Sequence, residues 1–542
     1  MANNPKFTER FRSGQAESHR TDVSGIISPM RTEHDTMGAV EVPDNVYYGA
    51  QTQRAVENFP ISGKTMPPEL IHALGLVKWA CAKANAELGL LQSGRSPLTD
   101  GQIDALLTAC LEVAEGTFDD QFPVDVYQSG SGTSTNMNAN EVIARRANEI
   151  VERKSGGHKP AGSVAGESSS IGQPGGLCPP LMRNASSSIH PNDHVNMGQS
   201  TNDIFPTAIN AALAQMISQL LDVMWDAREV LYEQSEKWEH VLKIGRTHLA
   251  DATPMTLGQE FLGLYDQMVD AYTMVNNAFP YLNNLPVGGT AIGTGINTHT
   301  DFAKKVIAVL NEKFALEEWT GHDGEPPFNE PPLRTSNHFN MNAQRNDIVT
   351  AHSLIKSAAV TLFNIANNIR WLGSGPRAGF YEIKIPDLQP GSSIMPGKVN
   401  PVLCEALMQA CAKVIGNDQT MTFCGAAGGQ FQLNIMMPVM ADTAIESVKI
   451  LSGALEVFTE KCLKGLEANE EKCREGVEKS LSLATALNPH IGYEKAAEVA
   501  KEAFKTGKTV REVCLEWNVL PVEQLDEVLD PWKMIKPMEH EA

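Results

Sequence analysis

The sequence predicts a mainly α-helical protein built around a bundle of long helices. In the middle of the chain, several stretches with apolar residues at helical spacing run for ~25–35 residues, whereas an average helix has ~11–12. Because a helix rises ~1.5 Å per residue, helices of that length imply an elongated bundle. These stretches are rich in Ala, Leu, Met and Val, which indicates more apolar surface than one chain buries. We therefore expect a homo-oligomer.

Length, composition and charge limit the classes of function. The chain has 542 residues, 42% of them hydrophobic and 20% charged. These values are typical of a soluble globular protein with two or three domains, since one core stops growing at ~250–300 residues. The formal net charge of −21 argues against a nucleic-acid or membrane-surface partner. A small anionic ligand would need positive potential supplied by its own site. We find no run of ~18 apolar residues that predicts a membrane span.

The cysteines and the N-terminal segment favour a cytoplasmic protein. The 9 cysteines are scattered, odd in number and without a Cys-x-x-Cys pair. We therefore expect buried free thiols in a reducing compartment. Residues 1–30 mix arginines and serines with acidic residues and contain no apolar core. We predict a disordered tail there, in preference to a mitochondrial transit peptide.

The first third of the chain contains short strands, loops and two clear helices. Polar turn signals and short apolar pieces follow the tail. Amphipathic helices are predicted at 70–91 and 102–115, the second introduced by Thr99 and Asp100 as a capping pair.

A turn rich in hydroxyls and a long insertion come next. The turn, at 129–138, precedes a helix predicted at 139–151. Its small residues let a ligand approach backbone N–H groups, and its hydroxyls are able to donate to carboxylates. Residues 154–188 are dense in Gly, Ser and Pro and show no period, so we predict a surface loop without an assigned role.

Polar segments introduce the long helices in the middle of the chain. Residues 199–203 open a helix predicted at 204–239, and residues 245–252 precede one predicted at 256–285. The loop 288–295 is glycine-rich, but no strand precedes it and no acidic residue is clearly placed ~20 residues further on. We therefore reject a nucleotide-binding motif.

The stretch from Gly391 to Pro401 combines more kinds of polar group than any other. Its sequence is Gly-Ser-Ser-Ile-Met-Pro-Gly-Lys-Val-Asn-Pro, and a helical pattern begins at Val402. We expect Pro401 at the first helical position, where a missing N–H costs little. A loop that leads into a helix N-terminus collects unpaired N–H groups and partial positive charge, to which Lys398 adds a formal charge. The stretch therefore predicts an anion-binding site. Further helices are predicted at 346–372, 402–417 and 440–466.

This stretch resembles the signature loop of the fumarase/aspartase superfamily, and the resemblance extends over residues 31–532 apart from the insertion. It implies three domains, which we place at 31–199, 200–468 (the central helical bundle) and 469–542 (a small helical domain). It also implies a homotetramer with a multi-helix core, in which each active site is shared between three subunits.

The resemblance implies reversible hydration of fumarate to L-malate, a step of the citric acid cycle, by general acid/base catalysis through an aci-carboxylate intermediate. By resemblance, Ser392 is the base that removes the proton, His248 the acid/base on the hydroxyl side, and Glu405 the group that orients His248. No metal or organic cofactor is expected. The residues that resemble the family's substrate-binding segments are Ser131, Gly132, Thr133, Asn136, Ser200, Thr201, Asn202, Thr247, Ser393, Lys398, Val399 and Asn400.

Three positions favour a fumarase over an aspartase. Aspartases usually carry glutamine at position 248, alanine at 397 and asparagine at 190, whereas this chain has His248, Gly397 and His190. The alternatives are an aspartate ammonia-lyase and a catalytically silent scaffold. The intact set of Ser392, His248, Lys398 and Glu405 argues against the scaffold.

Two further segments depart from the family pattern. His190, Pro191, Asn192 and Asp193 resemble a secondary carboxylate site of fumarases, although serines occupy positions 186–188, where a basic residue is usual. The usual Asn-Lys-Phe-Glu is replaced by Asn-His-Phe-Asn at 337–340, which we expect to alter local pairing.

Overall fold

The computed structural model describes residues 29–154, 188–317 and 333–537. The predictions of a tail before residue 29 and of a loop between 154 and 188 concern residues outside those ranges. Helices dominate the described ranges, and the strands pair as antiparallel two-stranded sheets. The pairs are β1 (Met30–Asp35) with β2 (Gly38–Pro43), β3 (Leu242–Thr247) with β4 (Ala250–Thr256), β5 (Ile383–Lys384) with β8 (Glu467–Ala468), and β6 (Gly429–Gln430) with β7 (Leu433–Asn434).

The helices include several of the length that the sequence predicts. In chain order they are α1 (Ala50–Asn58), α2 (Pro68–Glu87), α3 (Asp100–Ala114), α4 (Thr133–Lys154), α5 (Thr201–Lys237), α6 (Leu257–Asn276), α7 (Phe279–Leu282), α8 (Phe302–Glu317), α9 (His338–Ala343), α10 (Asn346–Leu372), α11 (Val402–Gly428), α12 (Met437–Lys461), α13 (Glu470–Lys479), α14 (Asn488–Ile491), α15 (Tyr493–Thr506), α16 (Val510–Glu516) and α17 (Val522–Val528).

The described residues form two compact units. The first unit takes its residues from 29–215, 279–350 and 420–445, and the second from 216–278, 351–419 and 446–537. Four of the five boundaries between the units fall inside α5, α10, α11 and α12, and the fifth, at 278/279, falls between α6 and α7. The domain limits at 199/200 and 468/469 stay predictions.

In the first unit, α3 packs against α2 and α4 over a core that includes Leu74 and Leu106. Thr99 caps α3, as the sequence predicts; its partner in a capping box is Gln102, and Asp100 is the first helical residue. The buried carboxylate of Glu141 accepts hydrogen bonds from Gly49 N, Gln51 N and both N and Oγ1 of Thr52. Burial raises the pKa of Glu141 above its usual value despite these donors. This carboxylate fixes the start of α1.

In the second unit, a buried polar network connects three long helices. His352 on α10 shares hydrogen bonds with Asp418 on α11 (Nδ1 to Oδ1, 3.0 Å) and with Ser447 on α12 (Nε2 to Oγ, 3.0 Å). Burial lowers the pKa of His352, so the ring is neutral near pH 7. Because a buried polar group is costly without its partner, the network favours one register of the three helices.

Two of the described helices, α5 and α10, are long and apolar enough to span a membrane by length and composition alone. In α5, 83% of the most apolar window is buried inside the protein, as expected for a core helix. The corresponding share in α10 is 44%. All eight cysteines within the described ranges are buried free thiols, as predicted.

Several element boundaries differ from the predictions. Helix α4 begins at Thr133 instead of 139, because Gly132 O accepts from Asn136 N and starts the helix within the hydroxyl-rich segment. Pro401 precedes the helix: its carbonyl accepts from Glu405 N, so it occupies the N-cap position and Val402 is the first helical residue.

Two other predicted helix ends are wrong. The helix predicted at 256–285 ends at Asn276, and the one predicted at 402–417 continues to Gly428.

The segment 337–340, which departs from the family pattern, starts α9. Asn337 caps this helix, and His338 Nε2 lies 2.7 Å from Thr335 Oγ1 and 3.1 Å from Val287 O. That departure from the family pattern therefore forms a local hydrogen-bonded cap.

Candidate active site

A cavity of about 720 Å³ in the first unit collects many of the predicted ligand residues. Its walls come from the first turn of α4, the start of α5, the segment before α5, and the glycine-rich loop 288–295. Of the predicted substrate-binding residues, Thr133, Asn136, Ser200, Thr201 and Asn202 line it.

The N-terminal turns of two long helices therefore face one cavity, which favours an anion. Gly132, directly before α4, has φ +80°, and a Cβ there would lie 2.6 Å from the ring of Phe205. Glycine is thus required for both conformation and space. Ser131 Oγ lies 2.8 Å from Thr133 Oγ1, so one of these two hydroxyls donates to the other.

The polar side chains of this cavity are held in fixed orientations. Asn136, which is 1% exposed, donates through Nδ2 to Thr201 Oγ1 (3.0 Å) and to Asn196 Oδ1 (3.4 Å). Because Thr201 Oγ1 accepts from Asn136, its own O–H proton points elsewhere. Asn136 Oδ1 is buried and has no partner within the described residues. The pair therefore offers the Thr201 hydroxyl proton to a ligand.

The glycine-rich loop 288–295 forms a wall of the cavity, a role that the sequence did not suggest. Asp203 Oδ2 accepts from Gly288 N (3.0 Å) and Thr290 N (2.9 Å), and Asp203 Oδ1 accepts from Ser200 N (2.9 Å). Burial raises the pKa of Asp203 to about 6. Asn202 Nδ2 donates to Ala291 O (2.8 Å). Asp203 and Asn202 thus attach the loop to the start of α5.

The segment predicted as a secondary carboxylate site starts a turn of π-helix, Pro191–Val195. His190 Nδ1 accepts from Asn192 N (3.3 Å) and Asp193 N (3.2 Å), which leaves Nε2 as the donor of the neutral ring. His190, Pro191 and Asn192 line a separate cavity of about 1090 Å³, whereas Asn192 and Asp193 line the smaller one. The secondary site stays a prediction.

In the second unit, His248 occupies the tip of a hairpin that the sequence did not predict. β3 and β4 pair antiparallel, and the two residues between them, His248 and Leu249, have φ +57° and +60°. Such two-residue turns normally use Asn-Gly or similar pairs, because residues with a Cβ are strained there. The turn presents an exposed imidazole that has no hydrogen bond or ion pair within the described residues.

A buried ion-pair cluster fixes this hairpin. Arg246, two residues before His248, donates to both carboxylate oxygens of Glu382 (2.8 and 2.9 Å), and Glu382 is 1% exposed. Lys243, also on β3, lies 3.0 Å from Glu382 Oε2 and pairs with Glu260. The guanidinium of Arg246 lies over the Phe380 ring at 4.1 Å. The bidentate geometry and the burial give the base of the hairpin one orientation.

The loop 391–401 is closed at its base and exposed at its tip. Gly391 N donates to Lys398 O (2.7 Å), and Asn400 Nδ2 donates to Gly391 O (2.8 Å). Ser392 Oγ accepts from Ile394 N (3.3 Å) and Met395 N (3.0 Å). Two N–H donors on one hydroxyl oxygen favour negative charge on that oxygen.

The remaining predicted residues of the second unit are accessible. Ser393, Lys398 and Val399 are exposed at the tip of the loop, and Thr247 is exposed beside His248. Glu405 is half-buried on the first turn of α11. Within the described ranges, the charged groups of Lys398 and Glu405 have no hydrogen bond or ion pair.

The sequence did not predict the residues that support the hairpin at His248 and the walls of the 720 Å³ cavity. Arg246 and Glu382 are separated by 136 positions, and Lys78 contacts Gln199 across 121 positions. The available signal for Lys78 was a lysine with apolar residues on both sides (Leu76, Val77, Trp79 and Ala80) in a predicted helix. Such a residue must find polar partners when it is buried.

Two family models match the chain. The model described as Lyase matches residues 38–416, and the model described as Fumarase C C-terminus matches residues 483–536.

Similar proteins cover nearly the whole chain. It is 44% identical over 512 residues to the class II fumarate hydratase of Mycobacterium tuberculosis (strain CDC 1551 / Oshkosh), with 93% of this chain and 96% of that one covered. It is 42% identical over 509 residues to an aspartate ammonia-lyase of a Bacillus species, with 94% and 98% covered. The solved structure of recombinant class II fumarase from Schistosoma mansoni is 34% identical, with a TM-score of 0.82 and coverage of 94% of this chain and 100% of that one.

Proposed function

The chain belongs to the lyase family that includes the class II fumarate hydratases, and from this membership we propose that it interconverts fumarate and L-malate. The forward reaction adds water across the double bond. In reverse, a base removes a proton next to a carboxylate, and the charge that develops spreads into that carboxylate. The site must hold both carboxylates and supply an acid/base group for the hydroxyl.

The observation that carries this proposal is the environment of Ser392 Oγ. A serine is a poor base at its usual acidity, so its deprotonated form needs stabilisation. The hydrogen bonds from Ile394 N and Met395 N lower the energy of an anionic Oγ. Lys398, six residues along the same loop, adds positive charge. Ser392 is the proposed base at the carbon that loses its proton.

His248 is the proposed acid/base at the hydroxyl side. Its ring is exposed on a strained turn, and the ion pair between Arg246 and Glu382 fixes the strand that leads into this turn. Strain in an exposed turn is more often retained where it positions a functional group. We assign Glu405 to orient the imidazole of His248 and to stabilise its protonated form in the assembled active site.

The proposed carboxylate ligands come from both units. In the first unit, hydroxyls, amides and helix N-termini line the 720 Å³ cavity. The first-unit set is Ser131, Gly132, Thr133, Asn136, Ser200, Thr201 and Asn202. The second-unit set is Thr247, Ser393, Lys398, Val399 and Asn400.

We propose a homotetramer in which three subunits contribute to each active site. In the single chain, α10 leaves much of its apolar window uncovered, since 44% of that window is buried. Val360, Phe423 and Val457, on α10, α11 and α12, are 38–68% exposed. Light scattering should give four times the chain mass of 58.9 kDa; a monomer with full activity would contradict the shared site. A cytoplasmic location stays a prediction.

The second candidate activity is ammonia release from aspartate, because one similar protein is an aspartate ammonia-lyase. His248, His190 and Gly397 favour hydration. Gly397 has φ +78°, so the alanine usual in aspartases would be strained in this loop.

Absorbance of purified protein mixed with L-malate, and in parallel with L-aspartate, tests the proposal. We expect the fumarate signal to grow from malate alone, to be abolished in Ser392→Ala and to be reduced in His248→Asn. A signal from aspartate alone would identify an ammonia-lyase. Silence from both substrates would contradict the proposed activity and leave a catalytically silent scaffold.

A further inference from the structure

Lys78 is a fully buried cation next to the candidate cavity, and the proposed chemistry gives it no role. It belongs to α2, where its side chain is 0% exposed. Its Nζ donates to Gln199 Oε1 (3.0 Å) and to Asn196 Oδ1 (3.4 Å). Both acceptors line the 720 Å³ cavity, whereas Lys78 does not. The ammonium therefore acts on the cavity from behind its wall.

Because an ammonium only donates, it determines which way both amides face. The oxygens of Gln199 and Asn196 must point at Lys78. Consistently, Gln199 Nε2 donates to Val195 O (2.8 Å) and Asn196 Nδ2 donates to Gln199 O (3.3 Å). Because both amides are oriented in this way, the Asn196 atom that faces Asn136 is the acceptor Oδ1.

The orientation passes from Asn196 to the cavity surface. Asn136 must direct Nδ2 at Asn196 Oδ1, and the same Nδ2 donates to Thr201 Oγ1. Thr201 then accepts on the inner side, and its O–H proton is left for the cavity. Without a donor at position 78, Asn196 could turn over, and the order of donors and acceptors would no longer be fixed.

We propose that Lys78 is a specificity-determining positioning residue, which orients the Asn196–Asn136–Thr201 chain so that Thr201 donates to a carboxylate of a dianionic ligand. The proposal deepens the function proposed above and rests on it for the identity of the ligand. The Lys78 ammonium also supplies positive charge next to the cavity, in a chain whose net charge is −21.

The surroundings of Lys78 make its effect depend on pH. Burial lowers its pKa to about 8, and the groups that face it are Cys81, Cys110 on α3 and Asp203 on α5. Burial raises the pKa of both thiols, that of Cys110 to about 12, so they are neutral near pH 7. Asp203 is ionised above its pKa of about 6, and its carboxylate accepts hydrogen bonds from three backbone N–H groups.

Among the described residues, Cys81, Cys110 and Asp203 are the titratable groups whose electrostatic effect reaches Lys78. His194, on the π-helical turn, accepts from His190 N at Nδ1 and donates from Nε2 to Ser96 O, which is the neutral form of the ring. On α8, Lys305 pairs with Glu87 and Glu312 pairs with Lys83. Loss of the Lys78 charge above about pH 8 is therefore the main electrostatic change in this region.

Binding of succinate, an unreactive dianion, tests the proposal by calorimetry. Lys78→Met keeps the length of the side chain and removes its donors, and we expect ~10–100-fold weaker binding near pH 7, as for loss of a hydrogen bond to a charged group. Lys305→Met removes the same charge from an exposed ion pair, and its dissociation constant should stay within about twofold of the wild-type value.

A pH series separates positioning from a merely structural role. The wild-type affinity should fall between about pH 7 and pH 9, as Lys78 loses its proton, so the difference from Lys78→Met should shrink. Equal binding by the wild type and a folded Lys78→Met, or a constant ratio across the series, would overturn the proposal. If Lys78→Met fails to fold, Lys78→Gln provides a donor without charge, and the wild-type series still tests the charge.

Failure of the proposed reaction would give a different result. A wild-type protein that binds succinate with the expected pH dependence, but forms no fumarate from malate, would contradict the reaction and support the role of Lys78. A wild-type protein that turns over malate while Lys78→Met binds succinate equally well would contradict the role of Lys78 alone.

Discussion

The ligand group of the first unit and the acid/base group of the second differ in how their side chains are held. Asn136, Thr201 and Asp203 are at most 7% exposed, Asn136 donates to Thr201, and Asp203 accepts from Ser200 N. In contrast, His248 and Lys398 are exposed, and their charged or titratable groups have no hydrogen bond or ion pair within the described residues. The ligand group of the first unit is therefore arranged before a ligand binds. In the acid/base group of the second unit, the hairpin and the loop are fixed at their bases, and their tips are exposed.

This difference indicates how the two groups divide the work of catalysis. Carboxylate recognition benefits from donors that need no reorganisation, because reorganising them would consume binding free energy. Proton transfer needs side chains that reach the reacting carbon and then release the product. The buried group should therefore control affinity and stability, and the exposed group the rate.

The largest expected effect is on the rate after loss of the proposed base. Ser392→Ala removes the hydroxyl but keeps the loop base, which Gly391, Lys398 and Asn400 hold together. We expect kcat to fall by ~10³-fold or more, with little change in KM, since a positioned acid/base group contributes ~10²–10⁴-fold.

Ser393→Ala is the matched change one residue further along. Ser393 is exposed and is a proposed carboxylate ligand, so KM should change more than kcat. If the two variants gave the same pattern, the distinction between base and ligand within this loop would be wrong.

A second prediction concerns stability of the buried group. Burial raises the pKa of Asp203 from 3.8 to about 6. A carboxyl whose pKa is raised by folding stabilises the folded protein below its unfolded pKa, and this contribution is lost as the pH rises through the folded pKa. Relative to Asp203→Asn, the wild-type free energy of unfolding should therefore fall by about 2 kcal/mol between pH 4 and pH 7. Urea denaturation across that range measures the slope.

Asp125 is the matched control because its pKa is shifted in the opposite direction. Burial raises the pKa of Asp125, but hydrogen bonds from Tyr127 N, Ser62 and Gly63 N outweigh burial and lower it overall. The wild type should gain stability relative to Asp125→Asn as the pH rises. Slopes of the same sign in both variants would contradict the assignment.

The sequence predicted most of the helices but fewer of the supports that hold the site. The pattern at 346–372 gives α10 to the residue, and Thr99 gives the cap of α3, because both signals are local. The hairpin at His248 was missed, since His-Leu lacks the residues that favour such turns. Partners such as Arg246 and Glu382 lie far apart in sequence, and no local pattern joins them.

The third prediction tests the support of the exposed histidine. Arg246→Lys keeps the positive charge but loses the two parallel hydrogen bonds to Glu382. We expect the hairpin to move and kcat to fall by ~10–30-fold with KM nearly unchanged, because small displacements of a catalytic group are costly.

Arg228→Lys is the matched control in the same unit. Arg228 pairs with Glu229 and lies over the Trp225 ring, away from the predicted site residues in the sequence. Its variant should keep the wild-type rate. An Arg246→Lys variant with wild-type kcat would show that the ion pair does not position His248.

The smallest expected effect concerns the exposed tip of the loop 391–401, which we predict closes over substrate. The peptide bond after Lys398 is a trypsin site on this tip, and Ile394 is 84% exposed beside it. A tricarboxylate inhibitor that draws Lys398 onto a carboxylate should slow cleavage about tenfold at ten times its dissociation constant, since only the unbound loop is cut. Mass spectrometry of the peptide ending at Lys398 measures the rate. Cleavage after Lys508, which pairs with Glu516 in the C-terminal part of the second unit, should not change. Equal cleavage after Lys398 with and without inhibitor would mean that the tip stays open, and the acid/base group would then work in an accessible site.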